Sequence, residues 1–314
     1  MKIKHLIAAG VASLVMTTAA SAQSLGVGAG RQGSQNYAAS AALGKFLSED
    51  LGLDVRVQSY GGSGQTLPLI DSGRLDLAIV PGPDMMSAAL GQVPFEGRAM
   101  ENLRVLANLG PSFYGFMVAK DSDMTMVSDA RGRTVTYGFA AQPSLALQAD
   151  AILAAGGLTI DDVKQDNVPS VPNGVDDLIS GTADVAYFAI QGGKAREADA
   201  AIGIKWLKLE DTPENEAAMQ KVVPLTYIDT VEPGAAPGID EPMSMMAYDY
   251  MLVAGAHVDD AVIQRIVEAV AANPDKVQAM SNAFAAFSTE KMQPKVEDLV
   301  VHPGAAAFYE QSQD

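Results

Sequence analysis

The residues best placed to do chemistry in this sequence lie in a glycine-rich stretch, GVGAGRQGSQNY, at residues 26–37. Its glycines permit positive φ angles and a close approach of the backbone to a ligand, and Arg31 is its single cationic side chain. A helical pattern follows at once, so the unpaired N–H groups and the positive dipole end of a helix face the turn. The stretch therefore predicts an anion-binding site, in which Arg31 is able to pair with a carboxylate.

Three glycines of this stretch, Gly28, Gly30 and Gly33, also spell the GxGxxG spacing of dinucleotide-binding proteins. That fingerprint needs an acidic residue at the end of the second strand, where it holds a ribose hydroxyl. The predicted second strand, residues 54–60, has its acid at the start and ends in serine and tyrosine. Small-ligand binding is the favoured interpretation. A secreted dinucleotide-binding enzyme is an alternative that cofactor absorbance of the purified protein would reveal.

The composition leaves few routes to catalysis. The chain has no cysteine, which excludes disulfides, thiolate nucleophiles and cysteine-ligated metals. His257 and His302 stand at no metal-ligand spacing from another histidine or glutamate, and no GxSxG motif occurs. We therefore expect no enzyme activity, no catalytic residue, no metal site and no cofactor. A formal net charge of −17 also argues against nucleic acid as a partner, because phosphate binding needs basic clusters.

The N-terminus has the organisation of a secretory signal peptide. Lys2 and Lys4 form a basic segment, residues 6–20 are apolar, and an AxA-type cleavage motif ends at Ala22. The apolar segment is short for a membrane anchor, which needs about 20 apolar residues. Cleavage after Ala22 removes two lysines and no acidic residue, so the net charge changes from −17 to −19. We expect a secreted, periplasmic protein.

The elements that would position the glycine-rich turn alternate between strand and helix, which is typical of a parallel sheet with crossover helices. A second glycine turn at residues 61–64 precedes a helix, with Ser63 as a candidate N-cap. A third apolar strand, residues 75–80, ends at Pro81. Ligands of open α/β sheets bind beyond the carboxyl ends of the strands, so these turns are expected to share one site.

The pattern then repeats. Strands are expected at residues 103–109 and 113–119, and a polar link that ends at Gly132 is the predicted lobe boundary. A new strand leads to a helix that opens at Ser144, and residues 173–190 repeat the earlier order of glycine turn, helix and apolar strand. Two similar lobes would face each other across a cleft. The predicted organisation is a signal peptide at residues 1–22, lobe one at 23–132 and 240–314, and lobe two at 133–239.

The order of motifs along the chain resembles the solute receptors of TRAP transporters of the TAXI type. The similar segments are GAGRQGSQNYAASAALGKFL, VQSYGGSGQTLPLIDSGRLDLAIV, VAKDSDMTMVSDARGRTVTYG, PGIDEPM and the tail VHPGAAAFYEQ. The resemblance covers essentially the whole chain after residue 22. It implies an α/β, two-lobed periplasmic binding protein-like type II fold with the ligand cleft between the lobes. It also implies a monomeric periplasmic receptor that delivers a small organic solute to the permease subunits of an ion-gradient-driven transporter.

Three predicted ligand loops depart from the pattern of that family. Residues 34–36 replace its usual glycine, threonine and tyrosine, residues 81–82 replace a glutamine-serine type of turn, and residues 139–143 replace a glycine-serine-glycine-threonine turn. A small organic acid, with its carboxylate in the cleft, is the expected ligand, and these departures leave its identity open. An exported sensor or chemoreceptor module of the same fold is the main alternative, and permease genes beside this one would distinguish the two.

The residues expected to bind the ligand lie in these turns and at the end of the strand ADVAYFAI. They are Arg31, Gly33, Ser34, Gln35, Asn36, Tyr37, Gly62, Ser63, Pro81, Asp84, Phe139, Ala141, Ser144, Tyr187 and Phe188. Core packing is the alternative role for at least one of Tyr187 and Phe188.

Overall fold

The computed structural model describes residues 24–32, 34–95, 97–140 and 143–312. The predicted signal peptide and its cleavage site after Ala22 lie outside these residues. Within the described ranges, no helix combines the length and the apolar character that a membrane span requires.

Strands and helices alternate through most of the described chain. The strands are β1 (Leu25–Ala29), β2 (Val55–Ser59), β3 (Leu77–Pro81), β4 (Leu103–Ala119), β5 (Thr134–Gly138), β6 (Lys164–Val168), β7 (Ala186–Ala189), β8 (Ile204–Trp206), β9 (Tyr227–Val231) and β10 (Met243–Gly255). The α-helices are α1 (Gln35–Leu51), α2 (Ser63–Asp71), α3 (Gly82–Leu90), α4 (Pro143–Ala155), α5 (Val171–Ser180), α6 (Gly193–Ile202), α7 (Pro213–Val222), α8 (Asp260–Ala272), α9 (Pro274–Met280) and α10 (Pro303–Gln311). Short 3-10 helices lie at Val127–Ala130, Ile160–Asp162, Asn282–Phe284 and Thr289–Lys291.

The main sheet has the strand order β2-β1-β3-β10-β4-β7, with β8 added to β4 and β9 added to β10. Strand β1 pairs in parallel with β2 and β3, whereas β10 runs antiparallel to β3 and β4. Strands β5 and β6 form a second, parallel pair, which a bridge between Val135 and Val185 joins to the segment before β7. The predicted α/β class is confirmed.

Two long strands hold the sheet together. Strand β4 pairs with β10 over its first part and with β7 and β8 over its second part. The sequence predicts two strands here, at residues 103–109 and 113–119, but the structure has one. The ladder to β10 continues through the break because Gly110 takes a φ of 96° and the register shifts between Tyr250 and Met251.

The lobe boundaries at residues 132 and 239 stay predictions. Strand β4 pairs with β7 and β8 before the chain reaches residue 132, and β10 pairs with β9 after residue 239. These pairings support crossovers that lie within β4 and β10. We propose those two strands, rather than the polar links, as the connection between the lobes.

Helix α1 fixes the position of the first glycine-rich turn. Its apolar face buries Phe46 and Leu47, and its N-terminus is capped by Ser34, whose hydroxyl oxygen accepts a hydrogen bond from the Tyr37 N–H at 3.1 Å. The helix packs closely on β2 through Gly44, because a Cβ atom there would lie 2.5 Å from the side chain of Val57.

Helix α5 differs from its predicted start. The sequence predicts a glycine turn at residues 173–174, but the helix begins at Val171 and includes both residues. Gly174 serves packing instead, because an added Cβ atom would lie 2.8 Å from the Thr136 side chain on β5. A glycine required for close packing and a glycine required for a turn look alike in a single sequence.

Candidate ligand-binding site

A cleft of about 890 Å³ lies beyond the carboxyl ends of β1, β3 and β7. Its walls are the turns that follow these strands and the first residues of the helices that come next. This is the edge of an open α/β sheet at which ligands bind.

Six helices have N-terminal residues in the cleft wall. They are α1 at Ser34, α2 at Ser63, α3 at Pro81, α4 at Ser144, α5 at Ser170 and α6 at Gly193. The first N–H groups of each helix have no partner within the helix, and each dipole places partial positive charge at this end. The cleft therefore has an electrostatic preference for an anionic group, although the chain as a whole is acidic.

The side chains of Asn36 and Ser59 stabilise the first glycine-rich turn through hydrogen bonds to the backbone of Gly30. Asn36 accepts a hydrogen bond from the Gly30 N–H at 2.7 Å and donates one to the Ile79 carbonyl at 2.8 Å. The Ser59 hydroxyl donates to the Gly30 carbonyl at 2.9 Å. Asn36 lines the cleft, but these bonds give it a positioning role. Strand β2 ends at Ser59, so no carboxylate occupies the place where a dinucleotide site holds its ribose.

Three cationic side chains line the cleft. Lys194 is already paired, because Asp176 and Glu197 accept hydrogen bonds from it and thereby raise its pKa. Arg31 and Arg98 are exposed at the cleft, and neither takes part in an ion pair with another of the residues that the structure describes. These two guanidinium groups can pair bidentately with an oxyanion.

Four tyrosines form the apolar side of the cleft. The Tyr114 ring is stacked between Tyr187 and Tyr248, with centroid distances of 5.8 Å and 4.9 Å, and Tyr250 meets Tyr248 edge to face at 5.9 Å. The Tyr187 hydroxyl donates to the buried Gln148 side chain. Burial raises the pKa of Tyr187, Tyr248 and Tyr250 well above the usual value, so these hydroxyls stay neutral.

Asp84 is the buried acidic residue of the cleft. It lies in the first turn of α3, next to the end of β3, and is only 8 % exposed. Removal of the carboxylate from water raises its pKa from 3.8 to about 6, and a hydrogen bond from the Ser63 side chain offsets part of the rise.

The structure brings most of the predicted ligand residues together. Those that line the cleft are Arg31, Ser34, Gln35, Asn36, Gly62, Ser63, Pro81, Asp84, Ser144, Tyr187 and Phe188. Gly33 and Ala141 lie outside the described residues. Whether these side chains contact a ligand stays a prediction.

Two predicted ligand residues do not line the cleft. Tyr37 is half-buried on α1, where its N–H bonds the Ser34 cap. Phe139 is fully buried with a φ of 39°, and its ring packs against Tyr187 with a centroid distance of 5.8 Å. Its large apolar side chain supports the aromatic wall from behind, because burial of the ring in the core is more favourable than exposure in a wet cleft.

Sequence reasoning missed several cleft residues, among them Arg98, Tyr114, Gln148, Lys194, Tyr248 and Tyr250. A signal existed for Lys194, because the glycine pair at residues 192–193 repeats the strand, glycine turn and helix order of residues 55–64. The i, i+2 spacing of Tyr248 and Tyr250 places them on one face of β10. Arg98 lies in an irregular segment before β4, and no sequence pattern pointed to it. Among the described residues, no cluster of three or more His, Asp or Glu side chains is arranged to hold a metal ion.

A family model described as the NMT1-like family matches residues 27–312. The chain belongs to the NMT1-like family. The match spans every strand and helix that lines the cleft except the first two residues of β1.

Solved structures show the fold of this NMT1-like protein. A periplasmic sulfonate-binding protein from Methylobacillus flagellatus KT is 14% identical, with a TM-score of 0.55, over 93% of this chain and 95% of its own. A Prochlorococcus marinus protein in complex with methylphosphonate is 14% identical, with a TM-score of 0.54, over 92% and 97%. The periplasmic aliphatic sulphonate-binding protein of Escherichia coli is 13% identical, with a TM-score of 0.51, over 92% and 88%. The predicted fold, that of two-lobed periplasmic binding proteins, is confirmed.

Proposed function

We propose that this NMT1-like protein is an extracytoplasmic receptor that binds a small organic carboxylate. It delivers the solute to the membrane permease subunits of a TRAP transporter of the TAXI type. The observation that carries the proposal is the convergence of six helix N-termini with Arg31 and Arg98 on one cleft, where neither arginine forms an ion pair with another described residue.

The chemistry of the cleft supports an oxyanion ligand. Backbone N–H groups at helix starts and guanidinium groups bind carboxylate, sulfonate and phosphonate groups by the same contacts. Two structural neighbours are named for sulfonate, and a third was solved with methylphosphonate. The preference for a carboxylate comes from the resemblance of the sequence motifs to TAXI-type receptors.

A binding screen tests the ligand class. The protein is unfolded and refolded to remove bound solute, and its thermal unfolding is measured with panels of carboxylates, alkyl sulfonates and alkyl phosphonates. A ligand at 100 times its dissociation constant adds about 2.7 kcal/mol to the free energy of unfolding. A shift with carboxylates alone supports the proposal, and a shift confined to sulfonates or phosphonates contradicts the carboxylate assignment.

A transport assay tests the partner. The permease encoded beside this gene is reconstituted in liposomes, and solute uptake is measured with the receptor outside. Uptake that follows an imposed ion gradient without ATP supports the TRAP assignment. Uptake that needs ATP inside the liposomes would assign the receptor to an ABC transporter instead, and the lack of any neighbouring permease gene would favour the sensor alternative.

A further inference from the structure

The cleft contains a buried acidic group, Asp84, which the binding of an oxyanion does not need. Asp84 faces the same space as Arg31 and Arg98, yet its carboxyl group is more than nine-tenths buried. Aspartate is almost never buried to this degree unless it is paired. A ligand that were only an oxyanion would place a second negative charge near this carboxylate.

The side chains that share the cleft wall with Asp84 include the neutral hydroxyl groups of Ser63, Tyr187 and Tyr250. No ion pair among the described residues includes Asp84. The N-terminus of α3 offers Asp84 partial positive charge, but among the described residues the carboxylate has no cationic partner and keeps hydrogen-bond capacity for a ligand.

The cleft thus has two chemically different ends. The exposed guanidinium groups of Arg31 and Arg98 offer positive charge, and the interior offers a carboxylate among neutral hydroxyls. An unsubstituted carboxylic acid can pair with the arginines but offers no hydrogen bond to Asp84. A solute that also carries a hydrogen-bond-donating group satisfies both.

We propose that Asp84 is the specificity-determining residue of the cleft and accepts a hydrogen bond from a hydroxyl or protonated amino substituent of the solute. This inference rests on the proposed function, because the acid group of the same solute occupies the end of the cleft at Arg31 and Arg98. A site built to hydrogen-bond a substituent rejects the analogue that lacks it, since its own polar group is then left unpaired.

Matched ligands test the inference on the wild-type protein. The probes are straight-chain carboxylic acids of about three to six carbons, each as the plain acid, the hydroxy acid and the amino acid, with substituents at the second or the last carbon. Titration calorimetry on refolded protein measures each affinity. At least one substituted acid is expected to bind at least about tenfold more tightly than the plain acid of the same length.

Two variants assign the discrimination to Asp84. In Asp84→Asn the preference should fall to within about twofold, because the amide no longer offers a charged acceptor, whereas Asp84→Glu should keep the direction of the preference. Circular dichroism checks that both variants fold. If a variant does not fold, the ligand series measured on the wild-type protein still tests the inference.

The outcomes are distinguishable. Plain acids that bind as tightly as their substituted partners overturn the inference and leave the proposed function intact. A preference that persists unchanged in Asp84→Asn also overturns it. If no carboxylate in the series binds, both the inference and the proposed carboxylate receptor fail.

Discussion

Replacement of Asp84 by asparagine should stabilise the ligand-free protein at neutral pH. The folded state holds this carboxyl with a pKa of about 6, against 3.8 in an exposed chain. At 1.36 kcal/mol for each pKa unit, the difference corresponds to about 3 kcal/mol that ionised Asp84 costs the folded state. Asparagine has nearly the same shape and carries no charge, so it removes this cost.

The sign of the pH dependence is specific to a raised carboxyl pKa. Between pH values of about 4 and 6 the folded protein binds more protons at Asp84 than the unfolded chain does, so the stability of the wild type falls as the pH rises through this window. The advantage of Asp84→Asn should therefore be near zero at about pH 4 and reach its full size above about pH 6.5. His302, whose pKa burial lowers, has the opposite dependence. Comparison of the variant with the wild type at each pH cancels that contribution.

Urea unfolding followed by circular dichroism, at steps between about pH 4 and pH 8, measures the difference. Asp129→Asn is the matched control, because the Asp129 carboxylate accepts hydrogen bonds from the N–H groups of Thr125 and Met126, which lower its pKa. That variant should lose stability at neutral pH. An Asp84→Asn protein that is less stable than the wild type above pH 6.5 would show that Asp84 is satisfied within the fold, and the reasoning would be refuted.

Three further predictions concern ligand binding. Gly64→Val should weaken binding without loss of stability, because Gly64 lines the cleft and an added Cβ atom meets no atom within 4 Å. Gly62→Val is the contrasting variant: it should also destabilise the fold, because Gly62 has a φ of 143°. Binding by Gly64→Val at wild-type affinity in calorimetry would remove α2 from the site. Arg31→Ala should cost about 2 to 5 kcal/mol of binding free energy if the acid group of the solute pairs with Arg31. Arg74 is exposed and lies outside the cleft, so Arg74→Ala should change the affinity little. An affinity of Arg31→Ala within about twofold of wild type would leave backbone donors and Arg98 as the anion site. Small-angle scattering should show a smaller radius of gyration with ligand, as the lobes close by bending at a few residues, and equal radii would contradict closure.

Local signals predicted the parts of the cleft that single turns build. The helix start at Ser34 and the glycine turn before α2 depend on a few neighbouring residues, and both line the cleft as the sequence suggested. The predicted N-cap Ser63 is wrong, because Gly62 takes the cap position and Ser63 is the first residue of α2. Lys194 belongs to the same class of signal, since its glycine pair also opens a helix after a strand.

Long-range contacts determined the parts that the sequence did not predict. The break at Gly110 looks like a loop until the partner strand β10 is known to continue past it. The sequence places Phe139 in a loop, but in the structure its ring is buried and packs behind Tyr187. Arg98 reaches the cleft from an irregular loop whose path depends on packing elsewhere, so its position follows from tertiary structure alone.

The strand order has a kinetic consequence. Strand β10 lies in the middle of the main sheet but follows every other strand of that sheet in the chain. Val80 on β3 pairs with Met251, 171 residues later, which corresponds to about 9 to 34 seconds of translation at roughly 5 to 20 residues per second. During that time β3 and β4 have open edges next to each other, and such edges are templates for aggregation. Pairing at such a sequence separation also slows folding. The sheet can therefore close between β3 and β4 only after β10 has been synthesised, because β10 is the strand that pairs with both.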